Sequence, residues 1–177
     1  MSQQTKGTFI YSPAQNPDGW QLLSRVSLSG AATSISSGTI PARTWLWVQL
    51  FCPGKSGTIT ISLRCNGDSG NNYCNRFSQD GGADGVTVST NQFNVSGGVT
   101  TSPVMANLFI INIAGQVKRF TGLANEGSVT AATAPNKREQ TALWVNTTDQ
   151  ITEVTLKSFD GIVTLNAGTT MMVYGAN

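Results

Sequence analysis

The chain contains no histidine. This removes the commonest acid–base side chain near neutral pH and the usual activator of a nucleophilic Ser or Cys. Charge is scarce as well, at 11% of 177 residues, with 11 Lys+Arg against 9 Asp+Glu. A net charge of +2, with basic residues scattered from Lys6 to Lys157, leaves no electrostatic footprint for nucleic acid. The pairs Lys118-Arg119 and Lys137-Arg138 read as solvated loop or strand-end charges. Long apolar runs are missing too. The longest, 46–52 and 108–114, are too short and too interrupted to cross a bilayer, so no membrane partner is expected. Residues Met1 to Lys6 show no apolar signal-peptide region, so the expectation is synthesis and folding in a cytoplasm. Only three cysteines occur, Cys52, Cys65 and Cys74. They fit that compartment as free thiols packed like small apolar groups, with a later Cys65–Cys74 disulfide as the alternative. Without His or a fourth thiol, no zinc site is expected, and no cofactor.

What is present is β-sheet pattern. Apolar residues make up 39% of the chain and fall in short segments bounded by Gly, Pro, Asn and Asp. Strands are predicted over 21–28, 45–51, 58–64, 72–78, 86–90, 106–113, 117–123, 128–132, 142–145, 152–159 and 170–174, with a further short one over 162–165. No segment shows an apolar stripe at helical spacing, and β-branched residues stand where helix formers would be needed. The fold class is therefore all-β, an antiparallel β-sandwich of jelly-roll type with about eight strands. Residues 1–16 are expected to form a flexible N-terminal arm and 17–177 a single domain. The segment 45–51 is apolar on both faces, with Trp45, Trp47 and Phe51 on one and Leu46, Val48 and Leu50 on the other. A strand of that kind is buried on both sides, which makes Trp45, Trp47 and Phe51 the candidate subunit seam.

Between 58–64 and 72–78 lies the polar stretch Asn66-Gly67-Asp68-Ser69-Gly70-Asn71-Asn72-Tyr73, followed by Arg76-Phe77-Ser78 and Gly81-Gly82-Ala83-Asp84. Asn, Asp and Gly accept positive φ at little cost, so the expectation is a β-hairpin with an extended polar tip. Arg76 and Arg64 stand at the strand ends, where they can meet Asp68, Asp80 or Asp84. The block resembles one found in small all-β virion proteins of tailed bacteriophages, which decorate heads or sit on tail fibres. There the pattern reads F-N-G-D-x-G-N-N-Y-x-x-R-[YF]-S-x-x-G-G-A-D, and here Cys65 replaces the leading aromatic. Trp20, Leu22, Val26, Leu28-Ser29-Gly30, Ser34-Ile35 and Pro41-Ala42-Arg43 are similar to that family's opening segment, and Val173-Tyr174-Gly175 to its last core strand. The resemblance implies a jelly-roll virion protein on the particle's exterior. It implies a homotrimer that contacts the major capsid protein or another virion protein as a decoration or cement protein.

Chemistry is harder to find. Asp18, Asp68, Asp84 and Asp160 sit beside or near glycines and read as turn formers, not as a catalytic pair. Asp68-Ser69-Gly70-Asn71 and Asp80 to Asp84 lack the spacing of a calcium loop. Gly67-Asp68-Ser69-Gly70 resembles a serine-protease loop only superficially, since no His is available. The expectation is a non-enzymatic structural protein. The alternatives are a tail-fibre or receptor-binding component and a carbohydrate-binding module, with Trp144 as the glycan-stacking residue.

Overall fold

The computed structural model describes residues 19–98, 101–127 and 130–177. The arm expected over 1–16 lies outside them, as do residues 128–129 of one predicted strand. Among the described residues twelve strands form, all paired antiparallel: β1 Gln21–Ser27, β2 Ser34–Ser36, β3 Trp45–Cys52, β4 Ile61–Cys65, β5 Tyr73–Gln79, β6 Gly85–Thr90, β7 Phe93–Asn94, β8 Val104–Ile111, β9 Lys118–Glu126, β10 Asn136–Trp144, β11 Val154–Ser158 and β12 Thr170–Ala176.

The sheets run β1-β12-β3-β8-β9-β10-β5-β6 and β2-β11-β4-β7. Pairing is nested: first with last, β2 with β11, β3 with β8, and β4 with β7. An antiparallel ribbon folded on itself in that way is a jelly roll, and it protects most strand edges by double-sheet closure. Two insertions widen one layer. The β5–β6 hairpin lies between β4 and β7 in sequence, and β9–β10 lies between β8 and β11. Both extend the large sheet beyond β8.

Alternation builds the core. Leu46, Val48, Leu50 and Cys52 of β3 point inward beside Ala106, Leu108 and Ile110 of β8 and Met171 and Val173 of β12. They face Ile61, Leu63, Val154 and Leu156 of the small sheet. Over the extension, Tyr73, Phe93, Phe120 and Trp144 close the core, with Phe93 and Phe120 centroids 4.8 Å apart. Gly122 is required here, because a Cβ at that position would collide with the Leu108 side chain.

Several local expectations are corrected. Residues 130–132 form a bend and turn, and 162–165 contributes only isolated bridges from Leu165 to Ala32 and Lys55. Strand β10 begins six residues before the predicted 142–145 strand, and the short β2 and β7 carried no prediction. Cys65 faces the core from the small sheet, while Cys74 follows inward-facing Tyr73 and so takes the opposite face of the large sheet; all three thiols are free.

Candidate functional site

The expected hairpin is not one. Strand β4 belongs to the small sheet and β5 to the large, so residues 66–72 carry the chain across the sandwich. Asn66 (φ 51°) and Gly67 (φ 67°) make the turn, and the Asp68 N–H donates to Cys65 O at 2.9 Å. Both side chains are then spent internally. The Asn66 carboxamide accepts from the N–H groups of Thr152 (2.8 Å) and Glu153 (3.0 Å) and donates to Gln150 O (2.8 Å). The Asp68 carboxylate accepts from Trp144 Nε1 (2.6 Å), Gly70 N (2.8 Å) and Asn72 Nδ2 (2.9 Å). A side chain at Gly70 would sit 2.8 Å from Asn72 Nδ2 and 3.1 Å from Asp68 Oδ1, which explains the glycine. The Tyr73 hydroxyl accepts from Cys65 N (3.0 Å) and donates to Asp68 O (3.2 Å). The block from Asn66 to Tyr73 is thus a corner staple joining β4, β5, β10 and the 150–153 segment, and Asn71 is its exposed tip.

Electrostatics agree with that role. Partial burial would raise the Asp68 pKa, but the N–H donors of Trp144, Asn72 and Gly70 outweigh it and hold the carboxyl below its ordinary value. Burial pushes the Cys65 thiol up, with Asp68 adding to it, and burial also raises Tyr73. Neither residue is poised as a nucleophile or base at neutral pH. Trp144 is 1% exposed, lies nearly parallel to Tyr73 at 6.3 Å, and has its N–H bound to Asp68. This corrects the glycan-stacking expectation: a sugar has no access to that ring.

Arg76 stands apart from the staple. It points outward from β5 and meets Asp84 at 3.3 Å, with both side chains more than half exposed. The basic pairs also differ from expectation, because each straddles a strand. Lys118 is buried, its ammonium donating to Gln116 O (2.6 Å) and Asn146 O (3.1 Å), while Arg119 is exposed. Arg138 is buried over the Phe77 ring at 3.6 Å, while Lys137 is exposed. Burial lowers the Arg138 pKa to about 10, opposed by the Glu126 charge. Glu126 in turn pairs with buried Lys55 at 3.4 Å.

The outer face of the large sheet is the remaining candidate. Because Leu46, Val48 and Leu50 turn inward, Trp45, Trp47 and Phe51 turn outward together, as the two-faced pattern predicts. Phe51 is 51% exposed, Trp45 41%, and Trp47 is half-buried among aromatics. Register places Tyr174, Trp47 and Phe109 side by side across β12, β3 and β8. Trp47 stacks on Phe109 at 5.4 Å, contacts Tyr174 at 5.3 Å, and meets the edge of Trp20 at 6.1 Å. Its indole N–H donates to Asn107 Oδ1 at 3.2 Å. Trp20 (47% exposed) and Leu22 entered the sequence reading only through the resemblance, and Phe109 (48%) and Met105 were not singled out. The signal for Met105 and Phe109 was present: with Ile111 they alternate with Ala106, Leu108 and Ile110, the same two-faced pattern as β3.

Among the described residues no cluster of three or more His, Cys, Asp or Glu side chains is placed to hold a metal ion. Asp80 Oδ1 accepts from Lys137 N at 2.6 Å, and Asp84 is engaged with Arg76, so the acidic loop is committed to local contacts. No helix is long and apolar enough to cross a membrane among the described residues. The sequence matches no protein-family model, and no curated protein is similar to it.

Proposed function

We propose that this chain is a non-enzymatic structural protein of a bacteriophage virion, a jelly roll that decorates and cements the head exterior as a homotrimer. The supporting observation is the apolar half of the large sheet's outer face. At ~150–250 Å² per aromatic side chain, half-exposed Trp20, Trp45, Phe51 and Phe109 leave on the order of 400 Å² uncovered. Leu22 and Met105 widen that patch. A standard interface takes about 800 Å² from each partner, roughly half of it apolar, so the patch supplies the greasy centre of one such interface. Trp47 is stacked on Phe109 and meets the edge of Trp20, so part of the patch is a packed aromatic cluster. The residue block resembling phage virion proteins, which sit on heads or tail fibres alike, supports a virion role, and the staple it forms explains what those residues do for the fold.

As a cement protein the mechanism is mass action. A subunit that binds only closed lattice stabilises closure, and several subunits spanning neighbouring capsomers multiply the effect. Purified particles are expected to carry the protein in hundreds of copies, and particles made without it are expected to lose heat and low-salt tolerance. Soluble wild-type protein is expected to sediment as a trimer. Trp45→Ser with Phe51→Ser is expected to give a folded monomer whose melting temperature no longer depends on protein concentration, since neither side chain belongs to the inner core. A copy number of a few dozen or fewer per particle places the domain on the tail instead, and absence from particles refutes the reading.

A further inference from the structure

The outer face of the large sheet has two halves, and in the second hydroxyl, amide and charged groups stand among single aliphatic side chains, with Leu123 and Val86 about half-exposed. Beyond β8 the register line from Phe109 continues through Thr121 and Thr141 to Arg76, one residue from each of four strands. The neighbouring line on the same face runs Asn107, Leu123, Glu139, Ser78. Together they line a shallow trough of about 640 Å³, within the size range of small-molecule sites. Four adjacent strands span roughly 14 Å at the usual inter-strand spacing, the length of a short oligosaccharide.

From this grid we infer a binding site for a neutral oligosaccharide, bound across β8, β9, β10 and β5. The floor offers two hydroxyls that both donate and accept, from Thr121 and Thr141. Arg76 supplies fixed donors at one end and Glu139 an acceptor at its side. Asn107 Oδ1 is already taken by Trp47 and Gln49 (both 3.2 Å), which leaves its amide NH₂ as a donor. Phe109 forms an apolar wall at the other end. Mixed donors and acceptors beside an aromatic wall match a ligand with hydroxyls on its rim and C–H groups on its faces.

Charge decides against an anion. Arg76 is paired with Asp84 at 3.3 Å and Glu139 with Lys137 at 2.9 Å, so the trough is close to neutral and focuses no field on a phosphate or sulfate. A protein occupant is disfavoured too. An apolar surface laid over this half would desolvate two threonine hydroxyls and two ion pairs without replacing their hydrogen bonds. The site therefore lies beside the proposed subunit seam and is chemically separate from it. Phe109 touches both, so it is unsuitable for telling them apart.

The test uses the full chain with maltotriose, cellotriose, chitotriose and mannotriose, each followed by amide chemical-shift perturbation and calorimetry. At least one is expected to bind with a Kd of about 1 mM or tighter, as befits a shallow, solvent-open site. Shifts should be confined to β8, β9, β10 and β5. Thr141→Val and Arg76→Ala are each expected to weaken binding about fivefold or more, with melting temperature and oligomer size unchanged. No binding by any of the four at about 10 mM overturns the inference. So does binding that survives both substitutions, or a change of oligomer size in either variant, which would make the trough a protein interface. Sugar binding by a wild-type protein that sediments as a monomer would leave the trough standing although the seam had failed, and a trimer that Trp45→Ser with Phe51→Ser dissociates but that binds none of the sugars would remove the trough alone.

Discussion

Replacing Asp68 by Ala tests whether the polar block is a staple. The carboxylate takes three N–H donors, and only one of them, Trp144 Nε1, is cut off from water. Water can replace Asp68 at Gly70 and Asn72, which are exposed, so those bonds contribute little net stability. The buried indole N–H has no such substitute. Losing a charge-assisted bond and stranding that donor is expected to cost about 2–3 kcal/mol, the lower part of the range because the carboxylate itself is only half-buried. At about 2–4 °C per kcal/mol for a domain of this size, the melting temperature falls by roughly 5–10 °C. Urea unfolding followed by tryptophan fluorescence gives the free energy, and an unchanged m-value confirms that only stability moved. A double-mutant cycle with Trp144→Phe isolates the pair, with an expected coupling of about 1–2 kcal/mol. The pH dependence has a defined sign. The folded pKa lies below the ordinary value of 3.8, so the contribution is fully present above that pH and is lost as pH falls through the folded pKa. Wild-type stability should therefore drop more steeply below about pH 4 than that of Asp68→Asn. A variant within about 0.5 kcal/mol of wild type, with a parallel acid limb, refutes the staple.

Two further substitutions probe neighbouring parts of the argument. Asn66→Gly keeps the left-handed turn but removes the carboxamide that holds residues 150–153, and is expected to cost about 2 kcal/mol in urea unfolding; a neutral result would mean that Asn66 serves only for its positive φ. Glu126→Gln breaks the buried pair with Lys55 and leaves that ammonium uncompensated, so a loss of about 3–5 kcal/mol is expected by calorimetry, whereas a change below about 1 kcal/mol would place the pair in a solvated setting.

The jelly roll was legible because its central strands follow simple alternation. Strands β3, β8 and β12 each turn apolar residues to the core at alternate positions, and turns rich in Gly, Pro, Asn and Asp separate the strands in sequence. Strand β10 was only partly legible, and its residues explain why. Its inward positions are Arg138, Gln140, Ala142 and Trp144, so half of its core face is polar and reads as loop. Arg138 is buried over Phe77, and the Gln140 amide donates to Val95 O at 3.2 Å. No local pattern announces partners so distant in sequence. The same limit produced the hairpin error. Two alternating strands joined by an Asn-Gly turn satisfy every local rule for a hairpin. What sends them to different sheets is the grip of Asn66 on residues 150–153 and of Asp68 on Trp144, contacts spanning more than 70 positions.

Trp144 and Trp45 show how topology, not residue type, separates scaffold from surface. Both are tryptophans in β-strands, and both were candidates for contact with something outside the chain. Trp144 ends a strand of the extension with its ring turned inward, under the corner made by β4 and β5, and is consumed by the fold. Trp45 begins β3, in the middle of the large sheet, with its inward neighbour Leu46 already filling the core. A jelly roll needs only the inner faces of its sheets to be apolar, so Leu46, Val48 and Leu50 meet the requirement of β3 by themselves. Trp45, Trp47 and Phe51 are surplus to folding, and large exposed apolar residues in excess of that need tend to be kept for contact with a partner. Along the Phe109 register line the large rings give way to Thr121 and Thr141, while Leu123 on the neighbouring line stays half-exposed. The change at the gap between β8 and β9 is therefore one of kind, from a packed aromatic cluster to hydroxyls set among single aliphatic side chains.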